Sequence, residues 1–244
     1  MSDHEPPLGP GDSEPTGWLG AFLSSTPRVL GSVTALIGAV SGLIIALDKA
    51  GVIGGDSETT TTQVTTGGAD AKSLFAPGPR GNGDVRFEDA TMYVTAKTPR
   101  HGVRVLADQS NSLQDVELTA RVKWESGADD WSFALVCRSE DSRNYYLLGV
   151  TSSGKYNIAK YRDGHLRPLT GLRPSDAIDS RENRVRVRCA GYRPTTLTLA
   201  VNGETLASIR DSNDEIESGN VGLRVGSTED VVTCSFNDFL LTSL

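Results

Sequence analysis

Glu215 and Glu217, in the run Asp214-Glu-Ile-Glu, are the nearest approach this chain makes to an acid–base pair. On an extended segment that spacing puts both carboxylates on one side, and a retaining glycosidase needs its two carboxyl groups about 5–5.5 Å apart. The run leads into Gly219 with no strand-like apolar pattern around it, which reads as a solvated loop, so no catalytic residue is assigned. His4, His101 and His165 are scattered, at no spacing that suits a metal or a triad. There is no GxSxG elbow and no P-loop, and Gly78, Gly81 and Gly83 lack the rest of a phosphate-binding fingerprint. As an enzyme the sequence is silent, and it implies no cofactor.

Residues suited to binding are easier to find. Trp131, Arg138, Tyr145, Tyr146 and Tyr161 combine ring faces, on which saccharides stack, with a planar guanidinium that aims its donors. They are the expected ligand-binding group. Against them, alternation must send one of Tyr145 and Tyr146 to the core, and Arg138 has Glu140 and Asp141 near it as ion-pair partners. Arg184, Arg186 and Arg188 form a row that reads either as a solvated face opposed by acids or as a contact for an anionic polymer. Cys137, Cys189 and Cys234 each fall on the apolar phase of a strand-like run. Three cysteines allow one internal bridge; Cys189–Cys234 is the conceivable pair, and three buried free thiols are the alternative.

The elements that carry these residues are β throughout. In Val116–Trp124, Leu118, Ala120, Val122 and Trp124 share one face while Glu117, Thr119, Arg121 and Lys123 share the other. Arg184–Cys189 and Thr196–Val201 alternate in the same way. Asn202-Gly203 between two such runs is a strong hairpin signal, with Asp163-Gly164 a second and Ser153-Gly154 a weaker third. Runs of this length with turns every ten or so residues predict two packed antiparallel sheets.

Three segments carry a family resemblance: FALVCRSEDSRNYYLLGVTSSGKYNIAKYRDG, NRVRVRCAGYRPTTLTLAVNGETLASIRDSN and SGNVGLRVGSTEDVVTCSFNDFLL. They resemble the middle hairpins, the later "NG" hairpin and the closing element of concanavalin A-like jelly rolls, a superfamily of lectins, laminin G-like domains and glycanases. The resemblance implies an all-β, two-sheet antiparallel jelly-roll sandwich over about residues 85–244, with a concave face often used for saccharides. The E-x-D-x-x-E strand of laminarinase-type glycanases in that superfamily is absent. The resemblance also raises a structural calcium, with Asp129, Asp130 or Asp238 as oxygen donors, although no defined calcium loop is matched.

Ahead of the sandwich, Val29–Leu47 is a run of nineteen uncharged residues, and a helix of that length is roughly 28 Å long, close to the thickness of a bilayer core. Thr26 and Pro27 suit a helix start, charges stand at both ends, and Trp18 suits the headgroup level. A buried helix of a soluble protein and a cleaved signal peptide are the competing readings; the second is opposed by the long acidic segment before the run. Gly38 and Gly42 form a GxxxG pair, a candidate face for a homodimer in the bilayer. The expected organisation is a disordered acidic tail over 1–26, a transmembrane helix over 27–48, a Gly/Thr-rich flexible linker over 49–80 and the sandwich domain over 81–244. The stalk-like linker favours a single-pass cell-membrane protein with its C-terminal domain outside.

Of the formal net charge of −7, residues 1–76 carry −5 and the remainder −2, which leaves the domain without an electrostatic footprint for nucleic acid. The expected function is a membrane-anchored, non-catalytic lectin-like module that binds glycan or an envelope polymer. A protein-interaction or sensor ectodomain is the alternative, and a glycoside hydrolase a third reading.

Overall fold

The computed structural model describes residues 71–108 and 112–244. One short helix, α1 (Ala71–Leu74), precedes fifteen strands. These are β1 (Gly78–Arg80), β2 (Gly83–Glu88), β3 (Thr91–Ala96), β4 (Val103–Leu106), β5 (Val116–Gly127), β6 (Ser132–Ser139), β7 (Tyr145–Thr151) and β8 (Lys155–Arg162). They continue with β9 (His165–Pro168), β10 (Arg173–Pro174), β11 (Glu182–Ala190), β12 (Thr195–Val201), β13 (Glu204–Asp211), β14 (Asn220–Gly226) and β15 (Val232–Ser243). An eight-stranded sheet runs β1-β2-β3-β15-β5-β11-β12-β13, and a seven-stranded one β10-β8-β7-β6-β14-β4 with β9 attached to β8. Every pairing is antiparallel. The molecule is an all-β two-sheet sandwich, as the alternation predicts.

The inward phase of each strand makes the core. Leu118, Ala120 and Val122 of β5, Val185 and Val187 of β11, and Leu197, Leu199 and Val201 of β12 are all buried. Phe236 of the eight-stranded sheet meets Phe133 of the other across the gap, with ring centroids 5.2 Å apart. The turns close as expected: Asn202 and Gly203 have φ of 51° and 90°, and Asp163 and Gly164 have 56° and 82°, the positive values a two-residue hairpin demands.

The fold begins earlier than residue 81. Leu74 and Phe75 are buried, and the Phe75 ring meets Phe239 edge-on at 5.1 Å. Fully burying a side chain of that size is worth about 1.5–3 kcal/mol, and together with the β1–β2 ladder and the Asp108 amide bond to the Leu74 carbonyl it sets residues 71–80 on the sandwich instead of in a linker. No helix among the described residues is long and apolar enough to cross a membrane. The run at 29–47, the tail before it, the Gly38–Gly42 pair and residues 49–70 lie outside the described residues.

The cysteine pairing differs from expectation. Cys137 of β6 bonds Cys189 of β11, joining the two sheets through the core, and Cys234 is the buried free thiol. Cys234 stands on β15, in the same sheet as Cys189 but two strands away with β5 between them, so the partner of Cys189 comes instead from the facing sheet. Burial pushes the Cys234 thiol up to about 12 from an ordinary 9.0, with Glu125 adding to the shift. Because the folded value is the higher one, this contribution is full below pH 9 and is lost as pH climbs toward 12. Burial raises the Tyr146 phenol as well, so it acts in the same direction. Urea melts should show a level stability between pH 7 and 8.5 and a fall above pH 9, by up to about 1.4 kcal/mol per pH unit for each group. Cys234→Ala should remove part of that slope, and an unchanged slope would contradict the assignment.

Candidate functional site

All five expected ligand residues serve the sandwich itself or are covered by it. Trp131 lies in the main core, with its indole N–H donating to the Ser180 carbonyl at 3.2 Å. Arg138 is fully buried. By strict alternation it would follow Ala134 and Val136 outward, but its φ of 50° and the register shift between β6 and β14 turn it inward. Its Nε donates to the Gln114 carbonyl at 2.8 Å, and Nη1 to Thr195 Oγ1 at 2.7 Å and the Ile216 carbonyl at 3.0 Å. Its Nη2 donates to the Gly191 carbonyl at 2.6 Å and to Asp115 at 3.3 Å. Neither Glu140 nor Asp141 is a partner, and burial lowers the guanidinium pKa. Arg138 is a pin at one end of the sandwich.

Tyr146 takes the core phase beside it. Its hydroxyl donates to Asp211 Oδ2 at 2.8 Å and accepts from the Ile216 amide at 3.2 Å. Lys160, 2% exposed, donates to the same Asp211 oxygen at 2.7 Å and also to the Asn213 and Asp214 carbonyls. This buried Lys160–Asp211–Tyr146 group, with Arg138, ties the segment after β13 to both sheets. A buried pair so fully satisfied is costly to break and leaves no lone pair for chemistry.

Tyr145 and Tyr161 do reach the outer face of the seven-stranded sheet, stacked on each other at 4.7 Å, yet they are only 2% and 3% exposed. The Arg104 guanidinium lies 4.2 Å over the Tyr145 ring, so a ligand meets the cation and not the ring face. Arg104 stands on the edge strand β4 and Tyr145 on β7, with β14 and β6 between them, so the two side chains meet over the sheet. Arg224 stands directly opposite Arg104 on β14, and its charge is felt at both Arg104 and Tyr161. Ala134 and Val136, which point away from the main core, are nonetheless fully buried because they form a second apolar cluster with Tyr145, Leu147 and Tyr161, with Leu106 and Leu166 packed against it.

Cross-strand registers set out this face in rows. One runs Arg104, Arg224, Ala134, Gly149, Asn157 over five strands. The next runs Leu106, Gly222, Val136, Leu147, Ala159. Small residues make a floor: a Cβ on Gly149 would lie 2.7 Å from that of Ala134. At the two ends of the first row, buried Arg104 Nη1 and Asn157 Oδ1 have no hydrogen-bond partner. A buried orphan donor and a buried orphan acceptor in one row are rare in native proteins, and a ligand bearing hydroxyls supplies both partners. Nothing in the sequence pointed to Arg104, Arg224 or Asn157; their types are ordinary and only the register gathers them.

The carboxylate pair does not form a site. A cleft of about 500 Å³ is lined by Arg162, Tyr192, Arg193, Pro194, Ser212, Asp214 and Glu215, with Glu217 outside it. Glu215 accepts from Thr195 Oγ1 at 2.6 Å and from the Arg193 amide at 2.9 Å. Asp214 is held by Arg162 at 2.9 Å and Arg167 at 3.4 Å. Among the described residues no three His, Cys, Asp or Glu side chains gather as a metal site. Of the oxygen donors considered for calcium, Asp130 accepts from Ser227 Oγ and the Thr228 amide, and Asp238 pairs with Arg121 at 3.2 Å. Arg184, Arg186 and Arg188 are exposed on the other sheet, Arg188 facing Glu117 and Arg184 facing Arg121.

No protein-family model and no curated protein matches the chain. Solved structures do. A carbohydrate-binding module from Bacillus subtilis is 18% identical, with a TM-score of 0.50 over 62% of this chain and 86% of its own. A Bacillus subtilis protein with a galectin-like fold is 12% identical, with a TM-score of 0.51 over 67% and 87%. A prokaryotic β-1,3-1,4-glucanase (lichenase) derived from a mouse hindgut metagenome is 10% identical, with a TM-score of 0.52 over 75% and 99%. The likeness is one of fold: a two-sheet jelly-roll sandwich. At these identities the likeness carries the fold alone, and the site of this jelly roll rests on its own residues.

Proposed function

We propose that the chain is a membrane-anchored, non-catalytic lectin-like module, displayed outside the cell, that binds glycan on the outer face of the seven-stranded sheet. The observation that carries the glycan reading is the row from Arg104 to Asn157, with orphan polar atoms at its ends and a floor of Ala134 and Gly149 between them. Sugar hydroxyls donate and accept at once, which is what the two ends lack. The jelly-roll fold, shared with a carbohydrate-binding module, agrees with it. The non-catalytic part is supported by Asp214 and Glu215, whose oxygens are already engaged by arginines, a hydroxyl and an amide. The anchor is supported by the apolar run at 29–47.

One experiment tests these parts together. The full-length chain, expressed in cells, should sediment with membranes, and after extraction in mild detergent it should bind saccharides on a glycan array. Asn157→Leu should weaken that binding at least tenfold, while Arg186→Gln on the opposite sheet should leave it unchanged. Recovery in the aqueous fraction would overturn the anchor. Absence of any saccharide binding at millimolar concentration would overturn the glycan reading and favour the protein-interaction ectodomain.

A further inference from the structure

The outer face of the eight-stranded sheet carries cations of two kinds. Some are answered on the sheet itself: Arg121 by Glu182 at 2.8 Å and Asp238 at 3.2 Å, Lys123 by Glu125 at 3.3 Å, and Arg86 by Glu88. Arg184, Arg186 and Arg188 of β11 are not. All three are exposed, alternating with the buried Val185 and Val187, and among the described residues none of them makes an ion pair. On β5 they face Arg121, Thr119 and Glu117 in turn, and on β12 Arg186 faces Ala200 and Arg188 faces Thr198. Glu117 is the one acid in these registers, and it stands beyond ion-pair distance of Arg188.

Alternate residues of a strand stand about 6.8 Å apart, inside the screening length of about 8 Å at physiological salt, so the row repels itself. β11 lies well inside the sheet, between β5 and β12, which leaves this line open only toward solvent. A flat anionic bilayer pressed on the face would meet Glu117, Glu125, Glu182 and Asp238 along with the arginines. A linear polymer laid along β11 meets three uncompensated cations in succession. No aromatic residue stands opposite the row on β5 or β12, so the bases of a single-stranded nucleic acid find no ring to stack on. A guanidinium fork matches two oxygens of a phosphate. A phosphodiester chain with three carbons between successive phosphates repeats, when extended, at close to the spacing of the row.

We propose that the β11 row binds a linear phosphodiester polymer that carries no bases, with Arg184, Arg186 and Arg188 each taking one phosphate. This site lies on the opposite side of the sandwich from the glycan row, and either one can fail without the other.

Fluorescence anisotropy of a labelled glycerol phosphate oligomer, titrated with the full-length chain in neutral detergent at several salt concentrations, tests it. Three phosphate contacts should give a slope of log affinity against log salt of about −2, from roughly 0.7 per contact. Arg186→Gln should reduce that slope to about −1.4, and replacing all three arginines by glutamine should abolish binding. Lys123→Gln removes the same charge from the same face but from a paired cation, and should leave slope and affinity unchanged. Arg186→Lys should keep the slope and lose several-fold in affinity, since it keeps the charge without the fork. These side chains are exposed, so every variant should melt where the parent does. Polygalacturonate should bind at least fivefold more weakly than the oligomer. Equal binding of the two would overturn the spacing match. Competition by glycerol 3-phosphate as effective per phosphate as the oligomer would point to single headgroups and overturn the polymer. No binding at low salt, or a triple variant that binds undiminished, sinks the proposal outright.

Discussion

Replacing Cys137 and Cys189 together by alanine should lower the stability of the fold by about 4 kcal/mol. The bridge closes a loop of 52 residues, and a closure of that length removes roughly that much chain entropy from the unfolded ensemble. It also joins β6 to β11 across the core, so opening the sandwich without breaking it is not an available route. Denaturant melts with and without reductant measure the effect. Thiol titration in denaturant should find one reactive thiol, from Cys234, before reduction and three afterwards. Three before reduction would mean that the sheets are held by packing alone.

Arg138→Met should cost a comparable amount, about 3–5 kcal/mol, although methionine fills much of the same volume. The loss comes from what stays behind. The Ile216 carbonyl and the Thr195 hydroxyl keep their burial and lose their donor, and each such orphan costs about 1–3 kcal/mol. Arg138→Lys retains the charge but cannot reach acceptors on several sides at once, so it should recover less than half of the loss. Urea melts of the three proteins with matched slopes decide the matter, and a loss below about 1 kcal/mol for Arg138→Met would show that these acceptors find other donors.

The strands were legible because period-two burial is a local signal. Leu118, Ala120 and Val122 announce their face within one run, and Asn202-Gly203 announces its turn with two residues. What depends on register or on facing sheets was not legible. The partner of Cys189 is decided by which strand lies across the gap, and no spacing encodes that. Arg138 looked like a surface residue because alternation sends it outward; one positive φ reverses its direction. Alternation required one of Tyr145 and Tyr146 to face the core without saying which, and the cation that covers Tyr145 comes from β4, far away in the chain. Arg104, Arg224 and Asn157 were overlooked for the same reason: each is unremarkable alone, and pairing across five strands makes them a row. Phe75 was hidden by the Gly- and Thr-rich composition just before it, which masked an apolar pair at its edge.

That pair has a mechanical consequence. Tension arriving from the amino-terminal side enters at the buried Leu74 and Phe75, the latter lodged against Phe239, before it reaches the three-residue edge strand β1. The first thing to yield under a tug is therefore an oily plug and not a ladder of hydrogen bonds. The Leu74 carbonyl accepts from the Asp108 amide at 2.7 Å, so load taken up by that plug is handed on to the end of β4, the strand that carries Arg104.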